Sequence, residues 1–135
     1  MEYILKNKEK EVMEILWKSA EPLTALEIAQ RSDIPLNTIR AMLKRLLDYS
    51  LIAVADIVYS GTTLSRNYQP TIDKAGFETN RVVYEIIRLK EDNISLSDII
   101  HCLLQKESKN EALKLIDELE SLINEQRTLI TTRRS

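Results

Sequence analysis

All three prolines of this chain, Pro22, Pro35 and Pro70, fall in its first 70 residues, and residues 71–135 carry no proline and a single glycine, Gly76. Proline lacks the N–H a helix ladder needs and clashes with the preceding turn, so it marks where helices end. The chain therefore reads as a punctuated half followed by a half free to run as helix. The other glycine is Gly61. So few glycines leave little room for long loops or a glycine-rich phosphate cradle. With 30% charged residues, the composition points to a helix-rich, soluble chain.

A length of 135 residues suits one domain, or a small domain with an appendage. His101 is the only histidine and Cys102 the only cysteine. That excludes a disulfide within the chain and a Cys/His zinc cage. Neighbours on a helix point about 100° apart, so the two do not converge on one ion. No metal and no cofactor are expected. Cys102 reads as a small core hydrophobe, and one cysteine fits a reducing cytoplasm. Uncharged runs such as residues 99–104 are too short to span a bilayer. The N-terminus runs quickly into charges and does not read as a signal peptide. The expectation is a cytoplasmic protein with no membrane partner. No G-x-S-x-G, P-loop or Cys triad is present, and the acids are spaced as helix-surface charge, so an enzyme is not expected.

Apolar spacing predicts the elements. A first helix over residues 7–19 buries Val12, Ile15, Leu16 and Met13, with Lys8, Glu9, Glu11, Glu14 and Lys18 outside. Glu21-Pro22 ends it. Thr24-Ala-Leu-Glu27 is a capping box that opens a short second helix over residues 25–31, burying Leu26 and Ile28 or Ala29. A third helix over residues 36–49 carries the stripe Leu36, Ile39, Leu43, Leu46 and Leu47. Residues 51–59 are rich in Ile, Val and Ala and read as a strand, although their alternation is imperfect. Ser60-Gly61 marks a turn, and residues 64–69 alternate as a second strand. Asp73 caps a fourth helix over residues 74–91, burying Phe77, Val82 or Val83, Ile86 and Ile87. Capping boxes at Ser95 and Ser108 open two more helices, to about residues 106 and 130. The fold class is mainly α with a small antiparallel β hairpin. The expected domains are residues 1–72 and 73–135.

Three helices followed by a hairpin is the order of a winged helix-turn-helix, whose third helix enters the DNA major groove while its hairpin touches backbone or minor groove. At 100° per residue, Asn37, Ala41, Lys44 and Asp48 lie opposite the apolar stripe, flanked by Arg40 on one side and by Thr38 and Arg45 on the other. Arginine and lysine suit guanine O6 and N7, asparagine suits adenine, and Ala41 lets the backbone approach or meets a thymine methyl. Asp48 would be repelled by phosphate, so only the earlier turns belong in a groove. Arg66 is the one basic residue of the hairpin and suits a phosphate or minor-groove contact. The helix start at Thr24 can offer N–H groups to a phosphate, alongside a plain capping role. Tyr68 reads as packed under the hairpin. Basic excess is local: residues 34–70 hold Arg40, Lys44, Arg45 and Arg66 against Asp48 and Asp56, while the whole chain is at −2. The same side chains also fit an ordinary solvated face. A protein-interaction module built on a winged-helix scaffold is therefore the alternative to a DNA-binding regulator.

The segments Glu11-Val-Met-Glu-Ile-Leu-Trp17, Leu23-Thr-Ala-Leu-Glu-Ile28, Asn37-Thr-Ile-Arg-Ala-Met-Leu-Lys-Arg-Leu46 and Tyr68-Gln-Pro70 resemble the penicillinase-repressor family, which includes β-lactamase, methicillin-resistance and copper-operon repressors. The resemblance covers about residues 9–70 well, and the second half by helical character alone. It implies a homodimeric bacterial repressor of transcription, with the winged helix on a double-stranded operator dyad and the C-terminal helices dimerising. Asn37 and Thr38 match the polar pair that opens the family's recognition helix, and Trp17 matches a tryptophan read as core. The chain also departs from the family. Ser50 stands where the third helix of family members usually ends in Gly. Thr62 rather than Arg follows Gly61, so Arg66 takes the wing arginine's task from a shifted position. Phe77 follows Gly76, so the Asn-Phe bond of proteolytically released members is absent. One cysteine excludes the Cys-x-Cys motif of copper-responsive members. An inducer or sensor remains unassigned. The expected dimer seam is Ile86 with Leu115, Ile116, Leu119, Leu122 and Ile123, a stripe too apolar to leave in water; the alternative is that the last five pack wholly within one chain.

Overall fold

The computed structural model describes residues 5–133. It holds six helices and three strands among them, in the order α1 (Asn7–Lys18), β1 (Leu23–Thr24), α2 (Ala25–Gln30), α3 (Leu36–Asp48), β2 (Ile52–Ser60), β3 (Thr63–Pro70), α4 (Lys74–Glu91), α5 (Leu96–Lys106) and α6 (Lys109–Thr131). Two compact units divide the chain, one up to Glu85 and one from Ile86, so the boundary falls inside α4.

The first unit has the core. Val12, Met13 and Leu16 of α1 meet Ile28 of α2, Ile39, Met42, Leu43 and Leu46 of α3, and Leu23, Leu51, Ile52 and Phe77. Met42 joins the expected α3 stripe. Its neighbour Leu47 is only half-buried. The chain's one tryptophan, Trp17, lies against this core. Its Nε1 donates to the Ile72 carbonyl at 2.9 Å, and its ring centroid lies 5.4 Å from that of Phe77. The apolar body is packed while the polar tip finds a partner, as a partly buried indole requires.

The hairpin is part of a three-stranded antiparallel sheet ordered β1-β3-β2. Leu23 pairs with Tyr68 and Thr24 with Asn67. A two-residue strand leaves no periodic signature, so β1 was not expected from the sequence. Val54 pairs with Tyr68 but Asp56 pairs with Asn67, leaving Ala55 as an extra residue, a β-bulge. The bulge accounts for the imperfect alternation of β2. Before it the even positions Ile52 and Val54 share the face of Tyr68, and after it the odd positions Ile57 and Tyr59 take that face. Ser60 pairs with Thr63 across a two-residue loop. Gly61 has φ +67° there, while Thr62 is not in the positive-φ region. That is the arrangement of a type II′ hairpin, which wants glycine at the first loop position.

Caps set the helix ends. Thr24 Oγ1 accepts from the Glu27 N–H at 3.2 Å, and Glu27 Oε1 accepts from the Thr24 N–H at 3.0 Å. Asp73 Oδ1 accepts from the Gly76 N–H at 2.7 Å. Ser108 Oγ accepts from the Glu111 N–H. Ser95 is the N-cap of α5, but its side chain makes no cap hydrogen bond.

Several side chains sit differently from expectation. Glu9 is buried, because its Oε1 turns back to accept from the Lys6 N–H at the start of α1. Leu26 is 44% exposed, since Ile28 takes the core position of the very short α2. In α4 only Phe77 is buried, and Val82, Val83 and Ile87 are exposed. Cys102 is exposed, because neither α5 nor α6 buries any residue. No described helix is long and apolar enough to cross a membrane.

Candidate nucleic-acid interface

The core fixes which side of α3 faces water. Ile39, Met42, Leu43 and Leu46 are fully enclosed, so the opposite side is presented outward. Asn37, Arg40, Ala41 and Lys44 are exposed there, with Thr38 and Arg45 half-buried at the flanks and Asp48 exposed at the far end. Helix geometry places Asn37, Ala41 and Lys44 in one row, with a small residue between two that donate hydrogen bonds.

Arg40, Thr24 and Arg66 are brought together. They line one open concavity between α2, α3 and β3, together with Leu26, Leu36, Leu64 and Tyr68. Asn37, Ala41, Lys44 and Arg45 stay outside that concavity, on α3 itself. Thr24 is buried, and both its hydroxyl and its N–H are engaged within the capping box. Arg66 is exposed on β3, opposite Ile57. Tyr68 is half-buried and packs against the core. Leu26 and Leu64 belong to this concavity and were not expected at it. Leu26 was assigned to the core, and Leu64 carried no signal beyond its place in a strand.

Charge is distributed unevenly over the first unit. Lys10 pairs with Glu78 at 3.6 Å, Lys74 with Glu14 at 2.9 Å, and Arg81 with Glu78 at 2.8 Å. The first two pairs join α1 to α4, and the third lies within α4. Among the described residues, Arg40, Lys44, Arg45 and Arg66 form no ion pair. Four cations without internal partners therefore lie on α3 and the hairpin. Binding a phosphate there breaks no existing pair.

The second unit presents apolar residues with incomplete internal cover. Leu115, Ile116 and Leu119 of α6 are half-buried, as is Ile86. Leu122 and Ile123 are exposed, and the stripe continues through Leu129 and Ile130, which the sequence reading did not include. Those two follow Leu122 and Ile123 by seven residues, so the heptad spacing was the signal available. Among the described residues no group of His, Cys, Asp and Glu is placed to hold a metal ion.

The family model described as penicillinase repressor matches residues 5–125. No curated protein matches the chain significantly. Several solved structures are loosely similar, three of them as follows. The Helicobacter pylori ferric uptake regulator Fur is 17% identical over 50% of this chain and 47% of that one, with a TM-score of 0.40. This chain therefore spans about half the length of that protein. The adhesin competence repressor AdcR from Streptococcus pyogenes is 18% identical over 90% and 80% of the two chains, with a TM-score of 0.41. Staphylococcus aureus MarR, in complex with salicylate and kanamycin, is 19% identical over 96% and 76%, with a TM-score of 0.41.

Proposed function

The chain belongs to the penicillinase repressor family, and from that premise we propose that it is a homodimeric, sequence-specific DNA-binding repressor. The observation that carries the reading is the outer face of α3. Asn37, Arg40, Ala41 and Lys44 are exposed, and its cations are unpaired within the described chain. In this reading α3 lies in the major groove. Arg40 and Lys44 donate to guanine edges, Asn37 pairs with adenine, and Ala41 admits the backbone. Thr38 and Arg45 at the flanks reach phosphates, as does Arg66 on the hairpin, while Thr24, with hydroxyl and N–H both engaged in the capping box, holds the start of α2 beside them. Asp48 keeps the last turn of α3 out of the groove.

Homodimerisation is supported by the second unit. Two helices without one buried residue cannot hold a core alone, and a second copy would supply the missing cover. Ile86, Leu115, Ile116, Leu119, Leu122 and Ile123 are the proposed seam. A twofold dimer places two α3 helices on the halves of an operator dyad, one DNA turn or a multiple apart. The proposed location is the cytoplasm.

Fluorescence anisotropy tests the reading, using duplex from upstream of the protein's own gene and a scrambled control at about 50 and 200 mM salt. The expected result is tighter binding to the native duplex, weakening steeply with salt as neutralised phosphates release counterions. Absence of binding to either duplex at the lower salt overturns it.

A further inference from the structure

The Ala55 bulge gives the hairpin two unlike faces. One carries Ile52, Val54, Ile57, Tyr59, Leu64, Arg66, Tyr68 and Pro70, taken from the pairing register. The other carries Asp56, Thr63, Ser65, Asn67 and Gln69, with Ala53 and Val58 among them. The first face starts in the core at Ile52 and runs outward to the tip. There Ile57 is 57%, Leu64 59% and Tyr59 76% exposed. Tyr59 and Leu64 are directly paired, one step from the Gly61 loop. An exposed strand ordinarily alternates and shows polar side chains to water. Here the bulge works the other way and keeps apolar residues on one face after the core has ended.

We infer that this face is an apolar wedge for the minor groove of DNA, with Tyr59 and Leu64 pressed against a base step and Arg66 holding the adjacent phosphates. The inference rests on the DNA-binding reading above. Leu64 and Arg66 line the same concavity as Arg40, together with Thr63 and Ser65 from the hairpin's other face, so the hairpin and Arg40 of α3 open onto one occupant, with Tyr59 beyond that lining toward the tip. The only charged group on that face is a cation, and Asp56 is on the other. An occupant with anionic edges and apolar walls fits this pattern. Sugar edges and base faces in a minor groove provide those walls between two rows of phosphate. Apolar side chains inserted there part base steps, most easily at flexible pyrimidine–purine steps.

The test uses a duplex enriched by the full-length protein from a random-sequence pool. 2-Aminopurine is then placed singly at each adenine of that duplex, since its fluorescence rises when a base unstacks. The wild type should brighten the probe at a step in the flanks of the α3 site. The Tyr59→Ser/Leu64→Ser variant should still bind at higher concentration, about tenfold more weakly, without that brightening. Tyr59→Phe keeps the apolar ring and should brighten the probe like the wild type, which separates loss of the wedge from loss of the fold. A wild type that binds tightly and brightens no position overturns the wedge and leaves the repressor reading standing. A serine variant that brightens the probe as the wild type does overturns it as well. A chain that enriches no duplex overturns both.

Discussion

The Leu51 N–H donates to the Leu46 carbonyl at 3.0 Å, spanning a left-handed Ser50 with φ +60°. The Ser50 N–H meets the Leu47 carbonyl at 2.9 Å, and Leu51 is buried behind the turn. This is a Schellman stop, in which the left-handed residue is usually glycine. The exit from α3 therefore keeps the geometry glycine would give, at the cost of a strained serine. Ser50 also accepts from Thr71 Oγ1 through its carbonyl at 2.7 Å, which any residue there retains. Relief of left-handed strain, about 1–2 kcal/mol, is partly offset by the greater freedom of an unfolded glycine, about 0.5–1 kcal/mol. Ser50→Gly is expected to stabilise by about 0.5 kcal/mol and Ser50→Val to destabilise by more than about 1 kcal/mol. Urea titration of both variants checks the pair of signs.

Trp17 ties α1 to the segment after β3 through one hydrogen bond to Ile72. Trp17→Phe keeps a ring against Phe77 and leaves that carbonyl without its donor. The expected loss is about 1–2 kcal/mol. Because the variant has no tryptophan, far-UV circular dichroism is the proper probe of its unfolding. A loss near zero would mean water replaces the indole at the carbonyl.

The limits of sequence reading follow from these particulars. Helix bounds were legible because Thr24, Asp73 and Ser108 cap with short polar side chains at recognisable spacing. The outer face of α3 was legible because one strong stripe fixes everything opposite it. The Ala55 bulge was not, since an inserted backbone residue has no chemistry of its own and shows only as broken alternation. Ser50 looked like a departure from the family, although backbone geometry is preserved beneath a different side chain. Leu26 and Cys102 were placed inside because periodicity finds an apolar position but not whether anything packs over it. Asn93, also left-handed at φ +63°, closes α4 in the same way as Ser50 closes α3, and asparagine there is a milder signal than glycine.

Arg40 and Arg45 sit on opposite flanks of the α3 face, and the proposed roles give them separate signatures. Arg40→Ala should cost about 1–3 kcal/mol on the best site and relax preference at one base position. Arg45→Ala and Arg66→Ala should weaken all sequences alike, each reducing the slope of log affinity against log salt by about 1. Competition binding against a panel of single-base operator variants, repeated at several salt concentrations, separates the two. Unchanged base preference in Arg40→Ala would remove that side chain from the groove.

Glu78 accepts from Arg81 Nε and faces Lys10, joining α4 to α1. The Arg81 hydrogen bond chiefly holds its carboxyl below the usual carboxylate range, against the desolvation that raises it, with the charges of Arg81 and Lys10 helping. A lowered pKa means the contribution is complete above the ordinary carboxylate value and fades as pH falls through the lowered one. Both cationic partners are exposed at the surface, so the contribution is within about 1 kcal/mol. Glu78→Gln should therefore be slightly less stable than the wild type at neutral pH, with the gap closing in acid. Denaturant midpoints compared across that range give the measurement, and a gap that widens in acid would reverse the assignment.

Leu122 offers the sharpest test of the dimer because it is exposed in the single chain. At a core position Leu→Glu would bury a charge and unfold the unit. At an exposed position it should change the stability of one chain by less than about 0.5 kcal/mol. Across a dimer seam the same change sets two carboxylates in an apolar contact and breaks the association. Leu122→Glu is expected to sediment as a monomer whose first unit, which has its own core, stays folded. Losing the linked second half-site should lower operator affinity by about 10²-fold or more, with little effect on a single half-site. A variant that remains dimeric places the seam elsewhere on the second unit. A variant that becomes monomeric yet keeps full operator affinity would show that the two α3 helices do not act together on a dyad.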